Sequence, residues 1–269
     1  MYDLLKEIRY LNCLGDRGVV EPFGGGAGAS LSLLFAEEAP QIVINDADQR
    51  IFDFWWAVTQ RCDEFIRRIQ SCPITIAEWK RQRNTYRSRR APRFDYGFAT
   101  FYLNRCNRSG IIGNGGPIGG IKQRGTWKLN ARFNRAALIE RCRTVFEYRK
   151  RIAISKTDGI DLLKALDWNK TFFFVDPPYF NKGKTLYLNG LDVEYHRALS
   201  AQLRAMQGAA WILTYDDCPE IRAMYRGWAR VRPFRLRYTA SERRSGTEIM
   251  ISPKWVRLPR SQKSNSIAW

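Results

Sequence analysis

The chain has 269 residues, of which 45% are hydrophobic and 13% aromatic, enough to bury the core of one large domain or of a domain with a smaller lobe. This composition excludes a wholly disordered protein. Its 45 lysines and arginines against 26 acidic residues give a net charge of +19, which predicts a polyanionic partner. No apolar run approaches the roughly 20 residues of a membrane span, and the amino terminus lacks the order of a secretion signal. We therefore expect a cytoplasmic protein with no membrane partner.

The first predicted elements form a β-α-β unit. A strand-like run at 18–23 leads into a glycine-rich turn, an apolar helix and a second strand at 41–45. Strand and helix patterns alternate again after residue 150, with strands at 171–175 and 210–215, and two alternating runs before the carboxyl terminus predict a hairpin. This order predicts an α/β fold whose mostly parallel sheet is covered by helices on both faces and gains an antiparallel member from the hairpin.

A strongly basic region interrupts this alternation. Residues 51–150 contain 21 lysines and arginines against 7 acidic residues, with aromatic residues among them and a glycine-rich loop at 110–125. Because cations contact phosphates and planar side chains contact bases, the region favours nucleic-acid binding, although 81–90 alone also suits a solvated helical face. The predicted domains are a discontinuous core at 1–55 and 145–258, a DNA-binding insertion at 56–144 and a disordered tail at 259–269.

Cysteine and histidine usage limits the possible chemistry. The six cysteines form no CxxC pair, so we expect reduced thiols rather than a zinc site or a disulfide framework. His196 is the single histidine, which makes histidine metal sites and Ser-His-Asp catalysis hard to build, and we expect it to be structural. An enzyme of this composition would rely on carboxylates, backbone dipoles or a cofactor, and we expect no metal.

Two segments have the features of a cofactor site. The turn EPFGGGAG at 21–28 lies between a strand and a helix, where glycines allow close backbone approach and the helix start offers N–H groups to an anion. It is neither a P-loop nor a GxGxxG turn. Asp46 follows the next strand, at a position where an acid can accept hydrogen bonds from ribose hydroxyls. The alternative is that residues 45–48 only cap the helix that follows.

The segment VDPPYF at 175–180 combines a buried strand with a stiff turn. Its two prolines fix φ and remove two N–H donors, so nearby carbonyls face outward. Such a turn can hold a planar amine, with Asp176 accepting one N–H, the Pro177 carbonyl accepting the other and Tyr179 stacking on the ring. A strand-ending turn capped by an aspartate is the alternative interpretation.

Taken in this order, EPFGGGAG, INDAD, FYLNR at 101–105 and DPPY resemble the Dam-like, D12-class family of adenine-specific DNA methyltransferases, over about residues 18–253. The order of the segments is similar to that of the alpha group of amino-methyltransferases. The resemblance implies a Rossmann-like, seven-stranded core that binds S-adenosylmethionine and releases S-adenosylhomocysteine, a helical target-recognition lobe, and double-stranded DNA as the partner. It implies cofactor contacts by Glu21, Pro22, Phe23, Gly24, Gly26, Gly28, Asp46 and Asp161, with Asp158 as a rival to Asp161, and catalysis by Asp176, Pro177, Pro178 and Tyr179.

The resemblance also implies a mechanism. The lone pair of the adenine amine is delocalised into the ring, so hydrogen bonds to Asp176 and to the Pro177 carbonyl would direct it at the sulfonium methyl group. Because duplex DNA hides this amine, the base must be flipped out, and Tyr179 would stack on it. The candidates for DNA contact in the basic region are Arg105, Arg108, Lys122, Arg124 and Lys128.

Two departures from the family pattern bear on function. No GGK-containing segment occurs among the 20 residues before Glu21, so either the start is truncated relative to the family or another segment, such as MYDLLKEI, closes the cofactor pocket. Arg108 stands where Dam enzymes tend to have an aromatic residue, so recognition of GATC does not carry over. Two alternatives stay open: a DNA-binding or regulatory component of a modification or defence system, with protein partners and little catalysis, and an enzyme that acts on the cytosine amine or on RNA.

Overall fold

A mixed seven-stranded sheet organises the described part of the chain, which comprises residues 1–88, 90–180, 191–234 and 248–259 of a computed structural model. The strands are β1 (Gly18–Glu21), β2 (Ile42–Asn45), β3 (Ile152–Ser155), β4 (Thr171–Val175), β5 (Ala210–Asp216), β6 (Arg230–Phe234) and β7 (Glu248–Ser252). Their spatial order is β3-β2-β1-β4-β5-β7-β6, with β1 to β5 parallel and β7 antiparallel to both of its neighbours. The predicted α/β fold, with a mostly parallel, Rossmann-like sheet and a terminal antiparallel pair, is confirmed.

The strand order reverses at β1, in the middle of the sheet. From β1 the chain moves outward to β2 and β3 on one side, and it then returns to β4 on the other side of β1. Open parallel sheets bind ligands outside the carboxyl ends of the strands where the order reverses in this way. The residues that follow β1 and β4 therefore lie where a ligand site is expected.

Ten α-helices lie within the described residues. In chain order they are α1 (Tyr2–Leu11), α2 (Gly28–Phe35), α3 (Gln49–Gln60), α4 (Cys62–Ser71), α5 (Ile76–Arg87), α6 (Arg93–Cys106), α7 (Arg135–Glu147), α8 (Gly159–Ala165), α9 (Val193–Ala205) and α10 (Pro219–Tyr225). Contacts divide the chain into two units, the second of which runs from residue 48 to residue 150 among the described residues. The first unit holds the sheet with α1, α2 and α8 to α10, and the second holds α3 to α7.

The core of the first unit forms around its central strands. Every residue of β4 and β5 is buried, as expected for parallel strands that are covered on both faces. Phe173 and Trp211 are fully buried in this core, and the helices contribute Leu199 from α9 and Ile221 from α10. The apolar runs that predict strands in the sequence are therefore the runs that form the sheet interior.

The second unit, called the helical unit below, has an aromatic core of its own. Five phenylalanines form a connected cluster in which the centroids of neighbouring rings lie 5.2 to 6.2 Å apart. Edge-on, tilted and offset-stacked ring pairs of this kind stabilise a core beyond the area that they bury. The cluster consists of Phe54, Phe65, Phe98, Phe101 and Phe133.

The boundaries of the two units differ from the expected domain boundaries. They fall at 47/48 and 150/151, whereas the sequence placed them at 55/56 and 144/145. A boundary at residue 55 would divide α3, which is one continuous helix. Asp53 of α3 also forms an ion pair with Arg93 of α6 at 2.6 Å, which joins the helix to this unit.

Three further expectations concern the termini and the thiols. The predicted tail at 259–269, apart from Pro259, and the turn of the terminal hairpin lie outside the described residues. All six cysteines are described, and each is a free thiol, with Cys13 exposed and the other five buried. None of the described helices is both long and apolar enough to cross a bilayer.

Candidate active site

The predicted cofactor and catalytic motifs lie at one edge of the sheet of the first unit. Glu21 ends β1, Asp46 directly follows β2, and Asp176 directly follows β4. β1 pairs in parallel with both β2 and β4. Because the carboxyl ends of neighbouring parallel strands meet at the same edge, the fold brings these three acids to one edge of the sheet.

The glycine-rich turn packs closely on β2. The Gly24 N–H donates to the Asn45 carbonyl at 2.6 Å, and a Cβ atom at Gly24 would lie 2.8 Å from Ile44 Cγ2, so this position requires glycine. Asp46 Oδ2 accepts a hydrogen bond from the Gly25 N–H at 3.0 Å, which ties the predicted ribose acid to the predicted turn. Asp48, rather than Asp46, caps α3 by accepting from the Arg50 N–H.

The middle of the turn borders open space. A Cβ atom placed on Gly26 or Gly28 would meet no other atom within 4 Å. The turn leads into α2 without a side-chain cap from its own N-cap residue, Ala27. The backbone here is accessible to a ligand that approaches the start of the helix.

Glu21 is a buried acid at the start of this turn. The side chain is 4% exposed, and its Oε1 accepts a hydrogen bond from the Ser30 N–H in the first turn of α2 at 2.8 Å. Burial raises the pKa of Glu21 to about 7, and the negative charge of Asp176 acts in the same direction. Glu21 therefore holds the start of α2 against the end of β1.

Pro22 and Phe23 connect the turn to its neighbours. The Pro22 carbonyl accepts from Asn45 Nδ2 at 2.8 Å. The Phe23 ring meets the Tyr195 ring edge-on, with 6.3 Å between centroids. Tyr195 in turn donates its hydroxyl proton to Asp158 Oδ2 at 2.8 Å.

The two rival acids that follow β3 have different contacts in the structure. Asp158 is the N-cap of α8, where it accepts from the Ile160 and Asp161 N–H groups, and through Tyr195 it is linked to Phe23. Asp161 lies one turn further on, with its side chain 63% exposed and paired to Lys164 at 3.0 Å. Asp158 is thus the acid that is connected to the predicted cofactor residues.

β5 fixes both ends of the DPPY turn. The Thr214 hydroxyl donates to Asp176 Oδ1 at 2.5 Å, and the Phe180 N–H donates to Asp216 Oδ1 at 3.0 Å. Thr214 and Asp216 are both buried. Between these anchors Pro177 is buried, while Pro178 and Tyr179 are half-buried and Tyr179 packs against the core.

Asp176 is accessible to solvent, but its carboxylate is closely surrounded by protein atoms. This desolvation raises the pKa of Asp176 to about 6, and the nearby negative charge of Glu248 adds to the effect. The Thr214 hydrogen bond opposes the shift because it favours the ionised form. At neutral pH the carboxylate is mostly ionised and can accept hydrogen bonds.

Comparison with known proteins identifies the family. A family model of the D12 class N6 adenine-specific DNA methyltransferases matches residues 2–239. The chain belongs to this family. The resemblance carried by the glycine-rich and DPPY turns is thereby confirmed, and the chain is a DNA adenine methyltransferase of a family that uses S-adenosylmethionine as methyl donor and DNA as substrate.

The other comparisons add no functional argument. No curated protein matches the sequence of the chain. Among solved structures, the rRNA methyltransferase AviRa from Streptomyces viridochromogenes is similar at 13% identity, with 92% of this chain and 82% of that chain covered and a TM-score of 0.34.

The predicted DNA contacts of this D12 methyltransferase lie in the helical unit and have different surroundings. Lys128 Nζ donates to the carbonyls of Gln123 at 2.8 Å and Gly125 at 3.0 Å, so it holds its own loop together. Arg105 is half-buried, and its Nε donates to Asn104 Oδ1 at 3.0 Å. The side chains of the other three candidates, Arg108, Lys122 and Arg124, are exposed.

Sequence reasoning missed several residues that shape the D12 site. Asn45 is fully buried, and its side chain bonds the Pro22 and Thr157 carbonyls, the Thr157 N–H and the Ser155 hydroxyl, which joins the loops after β1 and β3. Thr214 was missed because a threonine in an apolar strand carries no functional signal. The paired acids at 216–217, which follow a strand as those at 46 and 48 do, were a signal that could have identified Asp216.

His196 and possible metal-binding clusters are the remaining features of the site predictions. His196 is buried in α9, with its Nδ1 2.6 Å from the Tyr215 hydroxyl and its ring against Phe180. No cluster of histidine, cysteine and acidic side chains suitable for a metal ion occurs among the described residues. His196 is therefore a buried, hydrogen-bonded side chain of the first unit.

Proposed function

We propose that this chain binds S-adenosylmethionine at the carboxyl ends of β1 to β3 and transfers its methyl group to an adenine amine held by the DPPY turn after base flipping in double-stranded DNA. The observation that carries the proposal is the position of the glycine-rich turn and of the DPPY turn after adjacent parallel strands, with Asp176, an exposed residue, as the first residue of the DPPY turn. The family supplies the reaction, and this geometry supports the assignment of its parts.

The residues present fit the methyl donor. Open space beside Gly26 and Gly28 and the start of α2 suit a carboxylate or another polar group that approaches the backbone. Asp46 lies beside the turn, where an acid can accept from two ribose hydroxyls. When bound, S-adenosylmethionine supplies an electrophilic methyl group on a positively charged sulfur. Asp158 is preferred to Asp161 for contact with the adenine ring of the donor because of its link through Tyr195 to Phe23.

The chain's own residues orient the acceptor amine. Thr214 engages Oδ1 of Asp176, so Oδ2 is the atom that accepts one N–H of the amine, and the Pro177 carbonyl accepts the other. These two bonds favour a nitrogen whose lone pair is directed out of the ring plane, towards the methyl group. The N–CH₃ bond forms as the bond between the methyl group and the sulfonium sulfur breaks, which leaves a neutral thioether, and one N–H bond of the amine breaks. Asp176, ionised at neutral pH, can accept the released proton or pass it to water. Tyr179 stacks on the flipped base.

The first test removes the charge of Asp176. We expect Asp176→Asn to lower the rate of methyl transfer by about 100-fold or more, because a hydrogen-bond acceptor directed at the reacting group is lost. Radiolabelled methyl transfer to duplex DNA measures the rate, and calorimetry measures binding of S-adenosylmethionine, which we expect to change little. Glu194→Gln is the matched control, because Glu194 is an exposed acid paired with Arg197 in the same unit. Full activity of Asp176→Asn would contradict the assignment.

A second experiment identifies the acceptor. Modified bases are mapped in DNA from cells that express the chain or its Asp176→Asn variant. We expect N6-methyladenine in a defined sequence context with the former and none above background with the latter. Methylated cytosine, or tight DNA binding without any modified base, would favour one of the two alternatives that the sequence leaves open.

A further inference from the structure

Two buried polar side chains beside the DPPY turn take no part in the mechanism proposed above. Asp216, which ends β5, is 6% exposed, and His196 of α9 is 1% exposed. Asp216 Oδ1 accepts the Phe180 N–H at 3.0 Å, and the His196 ring lies against the Phe180 ring with 5.2 Å between centroids. Asp216 and His196, called the two anchors below, therefore meet at the residue that directly follows Tyr179.

The second anchor is itself held by β5. His196 Nδ1 lies 2.6 Å from the hydroxyl of Tyr215, which fixes the orientation of the imidazole ring. Tyr215 directly precedes Asp216 in the strand and is fully buried. Because successive side chains of a strand point to opposite faces, β5 contacts Phe180 directly with Asp216 from one face and indirectly, through His196, from the other.

The composition of the DPPY turn makes side-chain anchors necessary. Pro177 and Pro178 have no N–H, so neither position can donate a backbone hydrogen bond that would fix the turn. The first N–H groups after them are those of Tyr179 and Phe180, and the N–H of Phe180 is directed at Asp216. The Phe180 contacts therefore fix the end of the turn at which Tyr179 lies.

The partner of Asp216 across the sheet argues against a role in strand stability alone. Asp216 pairs in register with Glu248 of β7, and both side chains are buried. Two acidic side chains directly opposite each other destabilise an antiparallel pair. An acid at position 216 is thus unfavourable for the sheet, whereas it provides the acceptor that Phe180 requires.

We infer that Asp216 and His196 are positioning residues for Tyr179, the side chain that stacks on the flipped adenine. Because Phe180 is fixed at both its backbone and its ring, the neighbouring Tyr179 is held in place before the base arrives, and binding of the base costs less conformational entropy. The inference rests on the proposed function, which assigns the stacking to Tyr179. It adds two residues outside the sequence motifs to the acceptor side of the site.

The first test measures the Asp216 anchor in the protein without DNA. Asp216→Val removes the acceptor and keeps a side chain suited to a strand, whereas Asp216→Asn keeps an acceptor oxygen. We expect hydrogen exchange of the Phe180 N–H, followed by NMR, to be about tenfold faster in Asp216→Val, because a hydrogen bond to a charged group is lost. Asp216→Asn should retain most of the protection. Equal exchange rates in the unchanged chain and both variants would overturn the inference.

The second anchor has its own variant and control. His196→Phe keeps a ring beside Phe180 but loses the nitrogen atom that faces the Tyr215 hydroxyl, so exchange of the Phe180 N–H should be about fivefold faster. Ser200→Ala is the matched control, because Ser200 is a buried residue of α9 whose hydroxyl donates to the Met224 carbonyl at 3.1 Å. Thermal unfolding verifies that each variant folds, and the two anchors are tested independently if one variant does not.

A double-mutant cycle tests whether the anchors act through Tyr179. Single-turnover methylation rates are compared for Tyr179→Ala, Asp216→Val and the double variant at saturating cofactor and DNA. We expect Asp216→Val alone to lower the rate about tenfold but to have little further effect in the Tyr179→Ala background, since the side chain that Asp216 positions is already absent. An equal loss in both backgrounds would overturn the inference.

A mismatched target separates base holding from the transfer step. Because a mismatch lowers the cost of flipping the adenine, it should restore most of the rate lost in Asp216→Val and His196→Phe but not the rate lost in Asp176→Asn. No rescue of either anchor variant would overturn the inference. If the exchange rates changed as expected but the unchanged chain transferred no methyl group, the proposed function would fail while the anchoring of Phe180 would stand.

Discussion

At the scale of single residues, Asp176 depends on a neighbour outside its own motif. Thr214 is 1% exposed in β5, and its hydroxyl donates to Asp176 Oδ1. A carboxylate whose one oxygen is held in this way presents the other oxygen in a defined direction. Under the proposed function, Thr214 is therefore a positioning residue for Asp176 rather than a group that touches the substrate.

Removing this hydrogen bond should change both the rate and its pH dependence. We expect Thr214→Val to lower the methyl-transfer rate about tenfold at neutral pH, since a hydrogen bond to a charged group contributes about 1.5–3 kcal/mol. The bond lowers the pKa of Asp176, so its loss should raise that pKa and move the acidic limb of the rate profile, near pH 6 in the unchanged chain, to higher pH. Single-turnover rates from about pH 5 to pH 8 measure both effects.

A purely structural role for Thr214 predicts a different result. Thr214→Ser keeps the hydroxyl and should retain the unchanged profile. If Thr214→Val shows a lower rate with the acidic limb in its original place, the hydrogen bond does not set the pKa of Asp176.

The residue scale also shows how far the sequence alone could predict the site. DPPY and the glycine-rich turn are each a short continuous stretch of sequence, so the chemistry of each can be predicted from adjacent residues. Thr214 and Asn45 act through partners from other strands, and the register of the sheet decides those contacts. The choice between Asp158 and Asp161 likewise depends on Tyr195, which is distant in sequence.

At the scale of elements, the connection from β1 to α2 contains a buried acid. Glu21 accepts from the Ser30 N–H and so caps α2 from the end of the preceding strand. Because burial raises its pKa from 4.5 to about 7, the folded chain binds this proton more tightly than the unfolded chain does. The stabilisation is fully present below about pH 4.5 and is lost as pH rises through about 7.

Replacing this acid should flatten the stability profile. We expect Glu21→Gln, whose amide oxygen can still accept from Ser30, to raise the free energy of unfolding at neutral pH by about 2 kcal/mol and to reduce its decline between about pH 4.5 and pH 7. Urea unfolding at several pH values gives the free energies, with the exposed Glu194→Gln as control. A decline as steep as in the unchanged chain would contradict the buried ionisation of Glu21.

The sequence predicted which strands and helices form more reliably than it predicted which of them lie next to each other. The apolar runs of β1, β2, β4 and β5 are distinct in sequence because both faces of these strands are buried. The terminal hairpin was predicted from alternation, but its placement, with β7 rather than β6 beside β5, depends on long-range pairing. The extent of α3 was missed in the domain assignment because its packing on α6, not its composition, places it in the helical unit.

At the scale of the whole molecule, most of the excess positive charge lies in one of the two units. The net charge of +19 is concentrated at residues 51–150, which hold 21 basic and 7 acidic side chains and lie entirely in the helical unit. The sequence predicted this concentration because it is a matter of composition. Which of the cations are available to DNA could not be predicted, since ion pairs such as Arg93 with Asp53 form only in the folded unit.

This distribution of charge predicts that salt weakens DNA binding much more than it weakens cofactor binding. We expect a fourfold rise in salt to weaken duplex DNA binding by more than about tenfold, because counterions are released from the phosphates, but to change S-adenosylmethionine binding by less than about twofold. Anisotropy and calorimetry under the same conditions measure the two affinities. A parallel fall of both affinities would show that the cations of residues 51–150 also support the cofactor site.

The pairing of β1 with β4 has a consequence for synthesis of the chain. Gly18 pairs with Thr171, so β1 lacks one of its two neighbours until the ribosome has made every residue in between. The helical unit, residues 48–150, contains its own aromatic core and emerges complete within that interval. Because domains tend to fold as units while distant strand pairings form slowly, the helical unit should fold first and the methyl-transfer edge last. Under the proposed function, a nascent chain would then acquire the unit that holds the predicted DNA contacts before the edge that holds the predicted methyl-transfer residues.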